Sequence, residues 1–142
     1  MTRLVVDASV AVKWFLPEPH SEEALGLLDG KRELLVPDLL WAEVGNVLWK
    51  RWRQGELSED AADGILQDLR KLPLAVHPSE EIAGVAWSFA TRLGRSFYDS
   101  LYLALAANQS CSMVTADRRL WNAVGSAVPF LVWIEDISAG PQ

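Results

Sequence analysis

The sequence predicts an α/β fold: three layers, α/β/α, with helices on both faces of a mostly parallel central sheet of about five strands. Two observations carry this. Short, nearly continuous apolar runs (Leu4–Val6, Leu34–Val36, Leu74–Val76, Cys111–Thr115 and Phe130–Trp133) recur between longer stretches with helical spacing. Runs that do not alternate with polar residues belong to strands covered on both faces, and such strands pair in parallel through helical crossovers. The resulting order is β-α-α-β-α-α-β-α-α-β-α-β. At 142 residues, half of them apolar, the chain supports one core. The expected organisation is a single domain over 1–137 and a loose tail over 138–142.

Leu4, Val5 and Val6 form the first strand, and Asp7 ends it. From Ala8 to Trp14 the period becomes helical. Pro17, Glu18 and Pro19 break that helix, and Ser21 is placed to cap the next, whose apolar face is Ala24, Leu25, Leu27 and Leu28. Asp29-Gly30 stops it ahead of the second strand. Pro37-Asp38 then opens a long helix to about Arg53, with Leu40, Val44, Val47 and Leu48 on one face and Gly55 as its stop. Ser58 starts a helix to about Leu72, and Pro73 precedes the third strand. Ser79 is expected to cap a helix with Ile82, Ala83, Ala86, Phe89, Ala90 and Leu93 inward, closed by Gly94. Phe97 to Asn108 is rich enough in Leu and Ala to be buried over much of its surface. After the fourth strand Asp117 caps a short helix holding Leu120 and Trp121, and Phe130–Trp133 is an edge strand.

Composition excludes several classes. Cys111 is the only cysteine, so there is neither an internal disulfide nor a thiolate metal cluster. No secretory pattern and no apolar run long enough for a bilayer is present, so no membrane role and a cytoplasmic location are expected. The net charge of −6 does not suggest an unassisted nucleic-acid binder, although a carboxylate-rich metal site is itself a source of negative charge. Seven tryptophans are many for this length; the core accounts for most, and some can lie on a partner surface.

The candidate site begins with Asp7, a carboxylate at the end of a buried strand, where open α/β sheets bind ligands. A buried carboxylate needs a helix N-terminus, a cation or a metal beside it. Glu43 lies in the second turn of the Pro37 helix among apolar neighbours, with Asn46 on its face. Asp99 lies in the first turn of the Phe97 helix, and Asp117 follows the fourth strand. Each has an ordinary explanation alone: Glu43 as a solvated helical residue, Asp99 as a dipole partner, Asp117 as an N-cap. Together they can occupy the same sheet edge, where they repel one another unless a cation joins them. Oxygen ligands without His or Cys suit Mg²⁺ or Mn²⁺. His20 and His77 have no metal spacing. Such a cluster suits phosphodiester hydrolysis by activated water. Thr115 could orient a carboxylate or the water, and so could Ser9, whose hydroxyl could equally bond the local backbone. Lys13, Lys50, Arg51, Arg53, Arg92, Arg95, Arg118 and Arg119 could add positive potential along the rim, or be ordinary solvated charges.

These residues bring out a resemblance. The segments LVVDASVAVKWF (4–15), PDLLWAEVGNVLWK (37–50), RSFYDSLYLALA (95–106) and VTADRRL (114–120) are similar, in order and spacing, to the PIN-domain family and its VapC-like toxins of toxin–antitoxin pairs. The resemblance implies that Asp7, Glu43, Asp99 and Asp117 are the acidic, metal-binding positions, with Thr115 and Ser9 as the accompanying hydroxyls. No acidic position departs from the pattern. It further implies an Mg²⁺- or Mn²⁺-dependent endoribonuclease that inhibits translation by cutting RNA, homodimerises, and is held inactive by a cognate VapB-like antitoxin. The antitoxin's C-terminal segment would lie in an apolar groove, for which Trp14, Phe15, Trp41 and Trp49 are candidates.

A haloacid-dehalogenase-type phosphatase would want a second acid where Ser9 stands and a lysine ahead of its last acids. A receiver domain would want paired acids near the first strand. The remaining alternative is a non-catalytic RNA-binding or regulatory module of the same fold, against which the intact acidic quartet weighs.

Overall fold

The computed structural model describes residues 2–137; the tail expected at 138–142 lies outside them. Five strands, β1 (Thr2–Val6), β2 (Arg32–Pro37), β3 (Leu74–His77), β4 (Ser112–Thr115) and β5 (Leu131–Trp133), form one sheet in the order β3-β2-β1-β4-β5. All four pairings are parallel. Seven helices connect them: α1 (Ala8–Ala11), α2 (Ser21–Gly26), α3 (Leu39–Arg53), α4 (Glu59–Lys71), α5 (Ser79–Leu93), α6 (Phe97–Asn108) and α7 (Arg118–Val124).

Alternation along the strands divides the core in two. Leu4, Val6, Leu34, Val36, Val114 and Trp133 face one side and pack with residues of α1 to α4, including Val10, Leu40, Val44 and Leu69. Val5, Leu35, Met113 and Leu131 face the other and pack on α5, α6 and α7. Each strand therefore buries both of its faces, which is why its sequence is an unbroken apolar run. α6 is the most deeply held helix, with every residue from Ser100 to Ala106 buried. α5 covers it and leaves Trp87 and Val85 exposed.

The element order agrees with expectation, and the caps differ in two places. Ser21 and Ser79 are the first residues of their helices and not caps. At α2 the N-cap is His20, in the left-handed region at φ 70°, while Ser21 Oγ accepts the Glu18 N–H at 2.9 Å. At α5 the N-cap is Pro78, and Asp38 at the head of α3 accepts from the Ser79 N–H at 3.1 Å and from its hydroxyl. A carboxylate from another element satisfies this helix end, so local spacing could not reveal it. The first helix is also shorter than expected: α1 passes into a 3₁₀ turn at Val12–Trp14. Trp14 is a core residue and not a partner surface, because its ring is buried and its Nε1–H donates to the Ala24 carbonyl at 2.8 Å. Trp49, Trp52 and Trp87 are the exposed tryptophans among the described residues.

Candidate active site

β1 is the central strand: the chain builds β2 and β3 on one side of it, then crosses back to add β4 and β5 on the other. The carboxyl end of such a strand opens into the crevice between diverging crossovers. Asp7 stands there, 6 % exposed, as the N-cap of α1. Its Oδ1 accepts the Val10 N–H at 3.2 Å and the Ser9 hydroxyl at 2.5 Å. Its Oδ2 accepts the Thr115 hydroxyl at 2.5 Å. Val6 pairs with Val114, so Thr115, the last residue of β4, lies beside Asp7 by register alone. Each hydroxyl then uses a lone pair on the backbone that follows β4. Ser9 Oγ accepts the Ala116 N–H at 3.0 Å, and Thr115 Oγ1 accepts the Asp117 N–H at 3.1 Å. Ser9 thus orients the Asp7 carboxylate, and the backbone group it accepts from belongs to the distant Ala116 rather than to the start of its own helix.

Asp117 caps α7, its Oδ1 accepting from the Arg119 and Leu120 N–H groups at 3.0 and 3.3 Å. Asp99 occupies the first turn of α6, where Ser96 Oγ caps its N–H at 3.1 Å and Arg95 donates to its Oδ2 at 3.3 Å. Glu43 extends from α3 and is half-buried. The sheet and these helices bring all four acids to one small cavity of about 60 Å³, lined by Asp7, Ser9, Glu43, Asp99, Tyr102 and Asp117.

The electrostatics follow from this crowding. Burial pushes the Asp7 carboxyl up from its ordinary value to about 7, against the pull of the Ser9, Thr115 and Val10 hydrogen bonds, and Asp117 adds repulsion. Burial also raises Glu43; the Tyr102 hydroxyl opposes that shift, and Asp99 and Asp117 add to it. Asp99 is raised by burial, lowered by Arg95 and raised again by Asp117. As the side chains stand, no three His, Cys, Asp or Glu among the described residues form a group that could close on one ion. The four acids border the cavity from separate elements.

A groove of about 520 Å³ adjoins the cavity and shares Ala8, Ser9 and Glu43 with it. Val12, Leu39, Val47, Asn46, Lys50 and Tyr98 complete its walls. Of the basic residues expected on the rim, Lys50 lines this groove and Arg95 contacts Asp99. Lys13 and Arg51 are instead engaged with Glu18, Arg53 lies over Trp49, and Arg118 lies over Trp133. Tyr102, in the cavity wall, escaped the sequence reading because it sits in an unbroken Leu and Ala helix. Its one signal was a position one turn after Asp99.

Comparison with known proteins gives a consistent picture. A family model described as the PIN domain matches residues 4–125. The chain is 38 % identical over 120 residues to ribonuclease VapC3 of Pyrobaculum aerophilum, covering 83 % of this chain and 92 % of that protein. It is 31 % identical over 131 residues to ribonuclease VapC9 of Mycobacterium tuberculosis, covering 91 % and 97 %. A crystal structure from Pyrobaculum aerophilum superposes with a TM-score of 0.69 at 24 % identity, covering 94 % of this chain and 85 % of that one.

Proposed function

The chain belongs to the PIN-domain family, among its VapC-like toxins, and on that premise we propose that it is a metal-dependent endoribonuclease whose acids are Asp7, Glu43, Asp99 and Asp117. The observation that carries this reading is the convergence of four carboxylates, from four separate elements, on one cavity at the carboxyl edge of the sheet. Three of them have raised pKa values because they are buried near one another. A fold does not keep such repulsion for stability, and a divalent cation relieves it.

The donor set fits Mg²⁺ or Mn²⁺: all-oxygen, hard and anionic, in a cavity of a few ångströms. Glu43 and Asp99, the half-buried members, would have to turn inward to complete it. A bound cation would neutralise charge on the scissile phosphate and lower the pKa of a water. The chain's own part is orientation. Ser9 and Thr115 each hold one oxygen of Asp7, and Thr115 at the same time ties the backbone of Asp117 to that carboxylate. Arg95, beside Asp99, would offer a guanidinium to a phosphate oxygen. The adjoining groove, with Lys50 and the exposed Tyr98, is the path by which RNA would reach the acids.

Inhibition of translation, homodimerisation and neutralisation by a VapB-like antitoxin complete the proposal, and they rest on family membership. The apolar walls of the groove and the exposed Trp49 and Trp52 offer surface for such a partner. The alternative of a non-catalytic RNA-binding module is separated by one experiment. The purified protein is incubated with total cellular RNA in Mg²⁺, in Mn²⁺ and in EDTA, beside Asp7→Asn. Discrete products that require metal and disappear in the variant are expected. RNA binding without cleavage by folded, antitoxin-free protein would overturn the enzyme reading.

A further inference from the structure

Within the acid-lined cavity one polar group stands out. The Tyr102 hydroxyl is buried, on a residue 2 % exposed, and no acceptor completes a hydrogen bond of normal geometry with it. Buried tyrosines ordinarily find an acceptor, and leaving one without costs about 1–3 kcal/mol. Acceptors are close at hand, since the ring lines the same cavity as Asp7, Glu43, Asp99 and Asp117. Burial first, and then the charges of Glu43, Asp7 and Asp99, push its pKa far up. The group is therefore a committed neutral donor. On Glu43 the hydroxyl opposes part of the upward shift that burial imposes, yet the two form no bond of normal geometry.

We propose that Tyr102 is a positioning residue: its hydroxyl completes a hydrogen bond to one oxygen of Glu43 when that carboxylate turns inward, leaving the other oxygen free for a divalent cation. This rests on the metal-dependent reading above. α3 carries Glu43 on a long, flexible side chain, whereas Tyr102 is locked in the most buried stretch of α6. A rigid donor that selects one rotamer of a mobile ligand lowers the entropy lost on binding the ion.

The test uses wild-type protein, Tyr102→Phe, Glu43→Gln and the double variant, each titrated with Mn²⁺ by calorimetry and melted without metal. Tyr102→Phe is expected to melt, metal-free, at the wild-type temperature or above it, because it removes an unpartnered hydroxyl. It should bind Mn²⁺ about tenfold more weakly, the size typical of an outer-shell partner. It should lower kcat on RNA with KM unchanged. In the Glu43→Gln background the same change should cost no further Mn²⁺ affinity. A Mn²⁺ affinity within twofold of wild type, an equal loss in both backgrounds, or a much lower metal-free melting temperature would each overturn the proposal.

A second measurement does not depend on that variant folding. In Tyr98→Phe protein Tyr102 is the sole tyrosine, and Mg²⁺ should perturb its near-ultraviolet difference spectrum unless Glu43 is also Gln. No perturbation in metal-binding protein would overturn the proposal. Wild-type protein that neither binds Mn²⁺ nor cleaves RNA would remove the metal-dependent reading and this inference with it. Wild-type protein that does both, matched by Tyr102→Phe, would remove only the role of Tyr102.

Discussion

Asp7 is held by three donors and is still driven up to about 7, so desolvation outweighs the hydrogen bonds that favour its charge. Asp99 differs, because Arg95 offsets part of its burial. Asp99→Asn should therefore leave the fold intact, within about 1 kcal/mol of wild type or slightly more stable, since the loss of one partly buried ion pair is offset by removing one of a repelling set. It should also abolish RNA cleavage. A circular dichroism melt and the cleavage assay read the two halves separately. Thr115→Val has the opposite signature. It removes a donor to Asp7 and the acceptor of the Asp117 N–H at a fully buried position. Its expected cost is about 1–3 kcal/mol in a denaturant titration.

α6 and α5 are neighbours in sequence and nearly opposite in what they contribute. α6 buries seven successive residues beneath the sheet, and that rigidity is what fixes Asp99 at one end of the cavity and Tyr102 in its wall. Leu103→Ala should cost about 2–5 kcal/mol, the range for deleting a fully buried leucine side chain. Trp87→Ala on α5, where the ring is 64 % exposed, should fall within about 0.5 kcal/mol of wild type. Chemical denaturation of the pair distinguishes this from a surface on which Trp87 is structural. α6 also shows the limit of periodicity. A helix apolar on all sides announces its burial, yet nothing in Phe97–Asn108 says which strands lie above it or that Tyr102 faces the acids.

For the molecule as a whole, the crowded acids set how stability responds to pH and metal. Below about pH 4 Asp7 is protonated in both the folded and the unfolded chain. Between its ordinary value of 3.8 and its folded value of about 7, the folded chain keeps a proton that the unfolded chain has lost. Stability of metal-free protein should therefore fall as pH rises through this window, by on the order of 4 kcal/mol from Asp7 if its full shift is expressed. Asp7→Asn should flatten that slope, and Mg²⁺ at pH 8 should restore stability to the parent by binding the folded form alone. Melting curves at pH 5 and pH 8, with and without Mg²⁺, check all three.

Strand identity, helix order and the positions of the four acids were legible along the chain because each rests on local chemistry. Leu4–Val6 is apolar on both faces, Asp117 stands one residue before a helix, and Asp99 lies in a helix's first turn. Convergence is a different kind of fact. That Thr115 donates to Asp7 depends on parallel register between strands separated by more than a hundred residues. That Asp38 accepts the first N–H of α5, and that Trp14 is enclosed rather than offered to a partner, depends on which elements the sheet order makes neighbours. The unpartnered Tyr102 hydroxyl belongs to this second group as well. A residue's propensity is carried by its own atoms and their nearest neighbours in sequence. Its hydrogen-bond partner, its burial and its pKa are properties of whatever the fold places against it.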